Sequence, residues 1–381
     1  MKGLKRKSKI SVISFFFFLM SYHQTFSQKF NTDAVTKFWG VVDQLETDSP
    51  LTDSLWKAYY NLYGNKVYMD NNRSPEQAAE HRKYLELVFC PSKTAALAEL
   101  EKEKAYPSDD ILKNLLYIKS HEKALREYTG EIISEKYVAS CTALAKKYLP
   151  LRTNPFPKDL TIYINAMTFD AAVQSPDMYF GLSIIYEFDR FQKGAIAAHE
   201  FHHQLRVNRR LQREVSIADS TSLSIINQVN NEGTADLIDK TIAVNNRKDL
   251  YDADGLLGWL FDDAEKVIRE LDSSFLINAK NGSNHLSYRD FRKITLYSSG
   301  HIPGFYMANI IVRNGGKQQL ILHSDNPFNL FYLYNNAAKK DKTHPALFSE
   351  ACMAYLGQLE KRVYSSTSND RKGNDPGANL R

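Results

Sequence analysis

Between Gly194 and Arg206 the chain is almost wholly apolar, yet His199-Glu200-Phe201-His202-His203 stands in the middle of that stretch. Ala195, Ile196, Ala197, Ala198, Phe201 and Leu205 predict a strong helix with little exposed surface. Imidazoles and a carboxylate on such a helix need partners, and one shared metal ion satisfies them together. Helical residues four apart stack on one face, so His199 and His203 can grip the same ion. Glu200 lies about 100° further round, near enough to take a proton from metal-bound water. Pairing His199 with His202 instead leaves Glu200 without a role, so His202 is read as a non-ligand.

A second segment completes the set. Asn231-Glu232-Gly233-Thr234-Ala235-Asp236 falls within a helical pattern from Ser222 to Asp239, and it places Glu232 and Asp236 one turn apart. Glu232 is the expected third ligand of Zn2+, with the fourth position open to water, as in catalytic zinc sites. Asp236 is expected to hydrogen-bond the free ring nitrogen of a ligand histidine. Should Glu232 not serve, Asp236 or Asp219 is next in line. Gly233 is costly inside a helix, which implies close approach to the histidine-bearing helix.

These two segments resemble the gluzincin metallopeptidases, the thermolysin-like clan, in which His-Glu-x-x-His is followed by Asn-Glu-x-x-x-Asp on a second helix. They also resemble a less characterised, mostly secreted bacterial family described as zinc-dependent peptidases. The resemblance is specific over about 170–240 and weaker over 295–310. It implies a zincin-like catalytic core, His199, His203 and Glu232 on zinc, Glu200 as general base, and Asp236 orienting a ligand histidine. A metzincin needs glycine and histidine where this chain has Arg206 and Arg209. The Gly-x-Met-Glu-Asn segment of thermolysin-like aminopeptidases is absent, so exopeptidase action is not implied.

The first 27 residues read as a cleavable secretory signal. Lys2, Lys5, Arg6, Lys7 and Lys9 precede an eleven-residue apolar core, Ile10 to Met20, and a polar stretch ends at Thr25-Phe26-Ser27. A membrane span takes about 20 residues, so this core is too short for a retained anchor. The whole chain has 49 basic and 44 acidic side chains. The signal holds five of the basic ones and no acidic one, so 44 face 44 in the rest and the net charge is zero. Nothing there points to nucleic acid or an anionic membrane surface. Cys90, Cys141 and Cys352 are too few and scattered for a disulfide framework and read as apolar fillers.

Residues 28–150 read as a helical region. Apolar residues recur at three- and four-residue spacing over 33–46, 52–63, 76–89, 92–104, 109–128 and 131–148, divided by prolines. Pro150, Pro155 and Pro157 mark a break. The peptidase domain is expected over 151–363, with strands at Leu160–Asn165 and Met178–Phe188, and a disordered tail over 364–381. An edge strand at 178–184 is expected to pair with an extended substrate. Further helices follow over 250–279, 287–299, 303–313, 326–338 and 345–362. The fold class is therefore mainly α with a small β-sheet, α+β.

Metal-assisted hydrolysis also needs a donor for the tetrahedral oxyanion. The candidates lie in Tyr297-Ser298-Ser299-Gly300-His301-Ile302-Pro303-Gly304-Phe305-Tyr306. His301 comes first, then Tyr297 and Tyr306, although both tyrosines suit core packing as well. The basic run Arg206, Arg209, Arg210 and Arg213 reads as a solvated face at the helix end. The leading reading is a secreted zinc-dependent peptidase acting on peptides or proteins. Two others stay open: a non-catalytic binding or structural module, and a hydrolase of a non-peptide amide or ester. Oligomeric state is not legible.

Overall fold

The structure, a computed structural model, describes residues 29–364 apart from 103–109, 158–159, 175–176, 212–214 and 281–283. The expected signal lies outside the described residues. So does the expected tail except for Tyr364, the buried last residue of the C-terminal helix (Glu350–Tyr364). Among the described residues the fold is mostly helical with one four-stranded sheet, in agreement with the α+β expectation.

The helical pattern before residue 150 resolves into shorter pieces than the periodicity suggested. The 109–128 stretch divides at His121 into helices Asp110–Ser120 and Glu122–Ile132. Residues 63–72 form a further helix that the spacing did not predict. Where the local chemistry is strong the start is sharp: Ser74 and Gln77 cap each other reciprocally at the helix Pro75–Phe89.

The sheet runs in the order β1 (Lys29–Asn31), β2 (Thr161–Asn165), β4 (Asp177–Gly181), β3 (Ala171–Gln174). The first three are parallel, with Ile162 opposite Met178, whereas β3 pairs antiparallel to β4 and forms one edge. The strand expected over Met178–Phe188 ends at Gly181, and Leu182–Asp189 is a helix. An apolar run of that length carries no period that separates strand from buried helix. The glycine marks the turn, since a β-carbon there would lie 2.1 Å from the carbonyl oxygen of Thr168.

Two cores hold the molecule. One runs from Val35 in the N-terminal helices through the sheet to Phe201 and Leu205 on the motif helix (Ala195–Leu205). Residues before and after 150 are in contact: β1 is a strand of the same sheet as β2, and Cys141 packs against Gly194 at the start of the motif helix. The other gathers the helices after Leu223. The long helix Ile217–Asn245 contributes to both, with Ile225, Ile226 and Val229 in the second and Ile238 and Ile242 in the first.

Candidate metal centre

Three helices meet at the junction of the two cores. The motif helix supplies His199, Glu200 and His203, the long helix supplies Glu232, and the helix His301–Arg313 supplies its first residue. Gly194, at φ 78°, starts the motif helix, and its N–H donates to Asp189 Oδ1 at 2.6 Å. Ahead of His301, Leu296, Tyr297 and Ser299 all hold φ between 51° and 56°, and Gly300 holds 96°. Three non-glycine residues in the left-handed region is a concentration of strain of the kind found where the backbone is forced to aim a side chain.

The donors converge. His199 Nε2 and His203 Nε2 are 3.1 Å apart, and Glu232 Oε2 lies 3.6 Å from the first and 3.3 Å from the second. With zinc–ligand bonds of 2.0–2.1 Å, two ligands of a tetrahedral ion stand about 3.3 Å apart. The triangle therefore has the edges a zinc ion requires. His301 Nε2 sits 3.5 Å from the same Glu232 oxygen. His199, Glu232 and His301 offer ligand atoms within 4.8 Å of one another.

Asp239 Oδ1 accepts the Nδ1–H of His199 at 2.9 Å, and both oxygens of Asp236 accept the Nδ1–H of His301 at 2.9 and 3.0 Å. In each neutral ring that leaves a lone pair on Nε2, directed toward Glu232. Lone pairs and a carboxylate gathered so closely repel one another unless a cation sits among them. Burial drives the His199 ring toward its neutral form, but Asp239 and Glu232 outweigh it and hold the pKa well above the usual range. Burial likewise raises Glu232, yet His203 and His301 pull it well below that of an ordinary carboxylate. The centre calls for positive charge, and its N, N, O donor set suits zinc.

Other sequence-predicted residues fall in different places. Glu200 is buried beside the histidines and lines the cleft, and burial raises its pKa. His202 points away, its Nε2 3.3 Å from the carbonyl of Tyr148. Asp236 hydrogen-bonds a histidine of the cluster, as expected of it in kind, but that histidine is His301; it stays 3.7 Å from His199 Nδ1. Asp219 is paired with Arg362 and Tyr355, away from the centre. Tyr297 is 55% exposed under the guanidinium of Arg292, and Tyr306 donates to Glu265, so neither lines the cleft. Arg206 is not on a solvated face: it is buried, donating to Asn231 Oδ1 and the carbonyl of Ser324.

Asp239 and Lys240 were not anticipated, although Asp239 is seven residues after Glu232 and so on the same helical face. The cleft in front of the centre encloses about 410 Å³. Its far wall is the edge strand β3, with Ala171, Ala172 and Val173; of residues 178–184 only Ile184, in the helix after the interior strand β4, lines the cleft. No helix among the described residues is long and apolar enough to cross a membrane.

Comparison with known proteins gives one family. The model of the family described as "Putative zinc dependent peptidase (DUF5700)" matches residues 56–343, well over half of the chain. No curated protein and no solved structure matches.

Proposed function

The chain belongs to that family, and on this premise we propose that it is a secreted zinc metallopeptidase of gluzincin type, with Glu200 as general base. One observation carries the reading: His199, His203 and Glu232 form a triangle of 3.1, 3.3 and 3.6 Å beside a buried glutamate. When bound there, zinc would polarise a carbonyl and lower the pKa of a coordinated water toward 7. Glu200 is next to His199 on the helix and lines the same cleft. Its burial favours proton uptake, which suits a group that takes a proton from the attacking water and delivers it to the leaving amine.

His301 is held by Asp236, whose charge together with that of Glu232 outweighs burial and raises the ring's pKa. Protonated, its Nε2 becomes a donor for the oxyanion, an interaction typically worth a few kcal/mol. The edge strand β3 offers backbone groups to an extended peptide, and its small side chains leave room for one. Secretion rests on the basic and apolar N-terminus.

A second reading has its own support. His301 Nε2 is as close to Glu232 as the ligand candidates are, and four protein ligands make a closed, structural zinc site. Zinc content and cleavage of a mixed peptide library, with Glu200→Gln and His301→Ala alongside, separate the two. The peptidase reading expects one zinc in all three proteins and cleavage abolished by Glu200→Gln. Zinc lost in His301→Ala, with no peptide cleaved by the unaltered chain, supports the structural site instead.

A further inference from the structure

The carboxylates that hold His199 and His301 carry charge that the proposed hydrolysis leaves unanswered. Asp236 and Asp239 lie within one turn of the long helix, and both are fully buried. The next residue, Lys240, places its Nζ 2.5 Å from Asp239 Oδ2 and 3.8 Å from Asp236 Oδ1. Its side chain is only 14% exposed. Asp239 thus serves two partners, His199 through Oδ1 and Lys240 through Oδ2. The resulting chain of contacts runs His199, Asp239, Lys240, Asp236, His301 without a break.

The same residues have the spacing of a second cation site, since His199, Asp236 and Asp239 offer ligand atoms within 4.8 Å of one another. The ammonium of Lys240 is seated against both carboxylates of that group. A fixed positive charge therefore already stands there, behind the imidazoles, on the side away from Glu232. Two buried carboxylates so close together repel unless positive charge stands between them.

We propose that Lys240 is a positioning residue for the metal centre: its ammonium bridges Asp236 and Asp239, keeping both turned toward the imidazoles of His199 and His301. One side chain then sets the orientation of a metal ligand and of the neighbouring cleft histidine together. It also fills the inner cation position, which leaves the outer one to a single metal ion. This rests on the zinc-site reading above.

The test measures zinc affinity of the full mature chain by competition with a chromogenic chelator, with thermal unfolding of each metal-free protein as the folding control. Lys240→Met is expected to bind zinc about 10–100-fold more weakly, as loss of the groups that orient ligand histidines does elsewhere. Lys240→Arg is expected to recover at least part of that loss. If Lys240→Met does not fold, Lys240→Gln keeps a donor to Asp239 without the charge, and at least tenfold weakening is expected of it. A folded neutral variant with unaltered or tighter zinc binding at the first site overturns the proposal. If the unaltered chain binds no zinc at all, the failure belongs to the site reading itself.

Discussion

Gly233 and Gly304 press backbone against backbone where the long helix crosses the helix that begins at His301. A β-carbon on Gly233 would fall 2.5 Å from the carbonyl oxygen of Gly304, and one on Gly304 would fall 2.7 Å from the nitrogen of Gly233. Gly233 therefore serves the approach to the His301 helix, and not to the motif helix as its place in the sequence suggested. The crossing brings His301 within reach of Asp236 and Glu232. Gly304→Ala forces backbone apart, and neither neighbour is a side chain that can swing away. A loss of roughly 1–3 kcal/mol in denaturant unfolding is expected, as for overpacked cores. Catalytic turnover should fall further than zinc content does. A variant as stable and active as the parent would show that the helices can separate freely.

The two buried aspartates divide their labour, and their substitutions should differ in kind. Asp239→Ala removes the acceptor that fixes His199, so zinc affinity should fall about 10–100-fold. Asp236→Ala frees His301 and should lower kcat with a smaller effect on zinc. Chelator competition beside steady-state kinetics reads both. Equal loss of zinc in the two variants would make His301 a ligand.

His199→Ala, His203→Ala and Glu232→Ala should each abolish stoichiometric zinc binding, because each removes a corner of the same triangle. Metal analysis of the purified proteins is sufficient. Full zinc content in Glu232→Ala would transfer the third position to His301.

Asp189 joins Tyr128 to the N–H of Gly194 at the start of the motif helix, and burial pushes its pKa up to about 6. A carboxyl raised in the folded state binds its proton more tightly there than in the unfolded chain. Its contribution is thus fully present below about pH 4 and is lost as pH rises through 6. Asp189→Asn cannot ionise. The stability of the parent relative to this variant should decline between pH 4 and 6 and then level off. Parallel pH–stability curves for the two proteins would remove Asp189 as a cause.

A peptide-like inhibitor in the cleft should exchange backbone hydrogen bonds with β3, residues 171–174, which is the free edge facing the metal centre. Crystallography of such a complex decides it. An inhibitor bound without touching 171–174 would disqualify the strand as a substrate guide.

The order of residues along the chain was enough to place on one helix face the candidate site residues that share a helix. His199 with His203, and Glu232 with Asp236, are related by the 3.6-residue turn, and an apolar helix bearing them announces a buried polar centre. The reciprocal cap of Ser74 and Gln77 is local in the same way, because both partners lie within one turn. What tertiary structure decided was every relation between elements. Which histidine Asp236 holds, which helix Gly233 touches, whether residues 182–189 coil, and which strand forms the edge all depend on packing between segments distant in sequence. Local spacing records the direction a side chain takes from its own backbone. It holds no record of what arrives opposite, and the charge on Lys240 gains its meaning only when both histidines have been brought there.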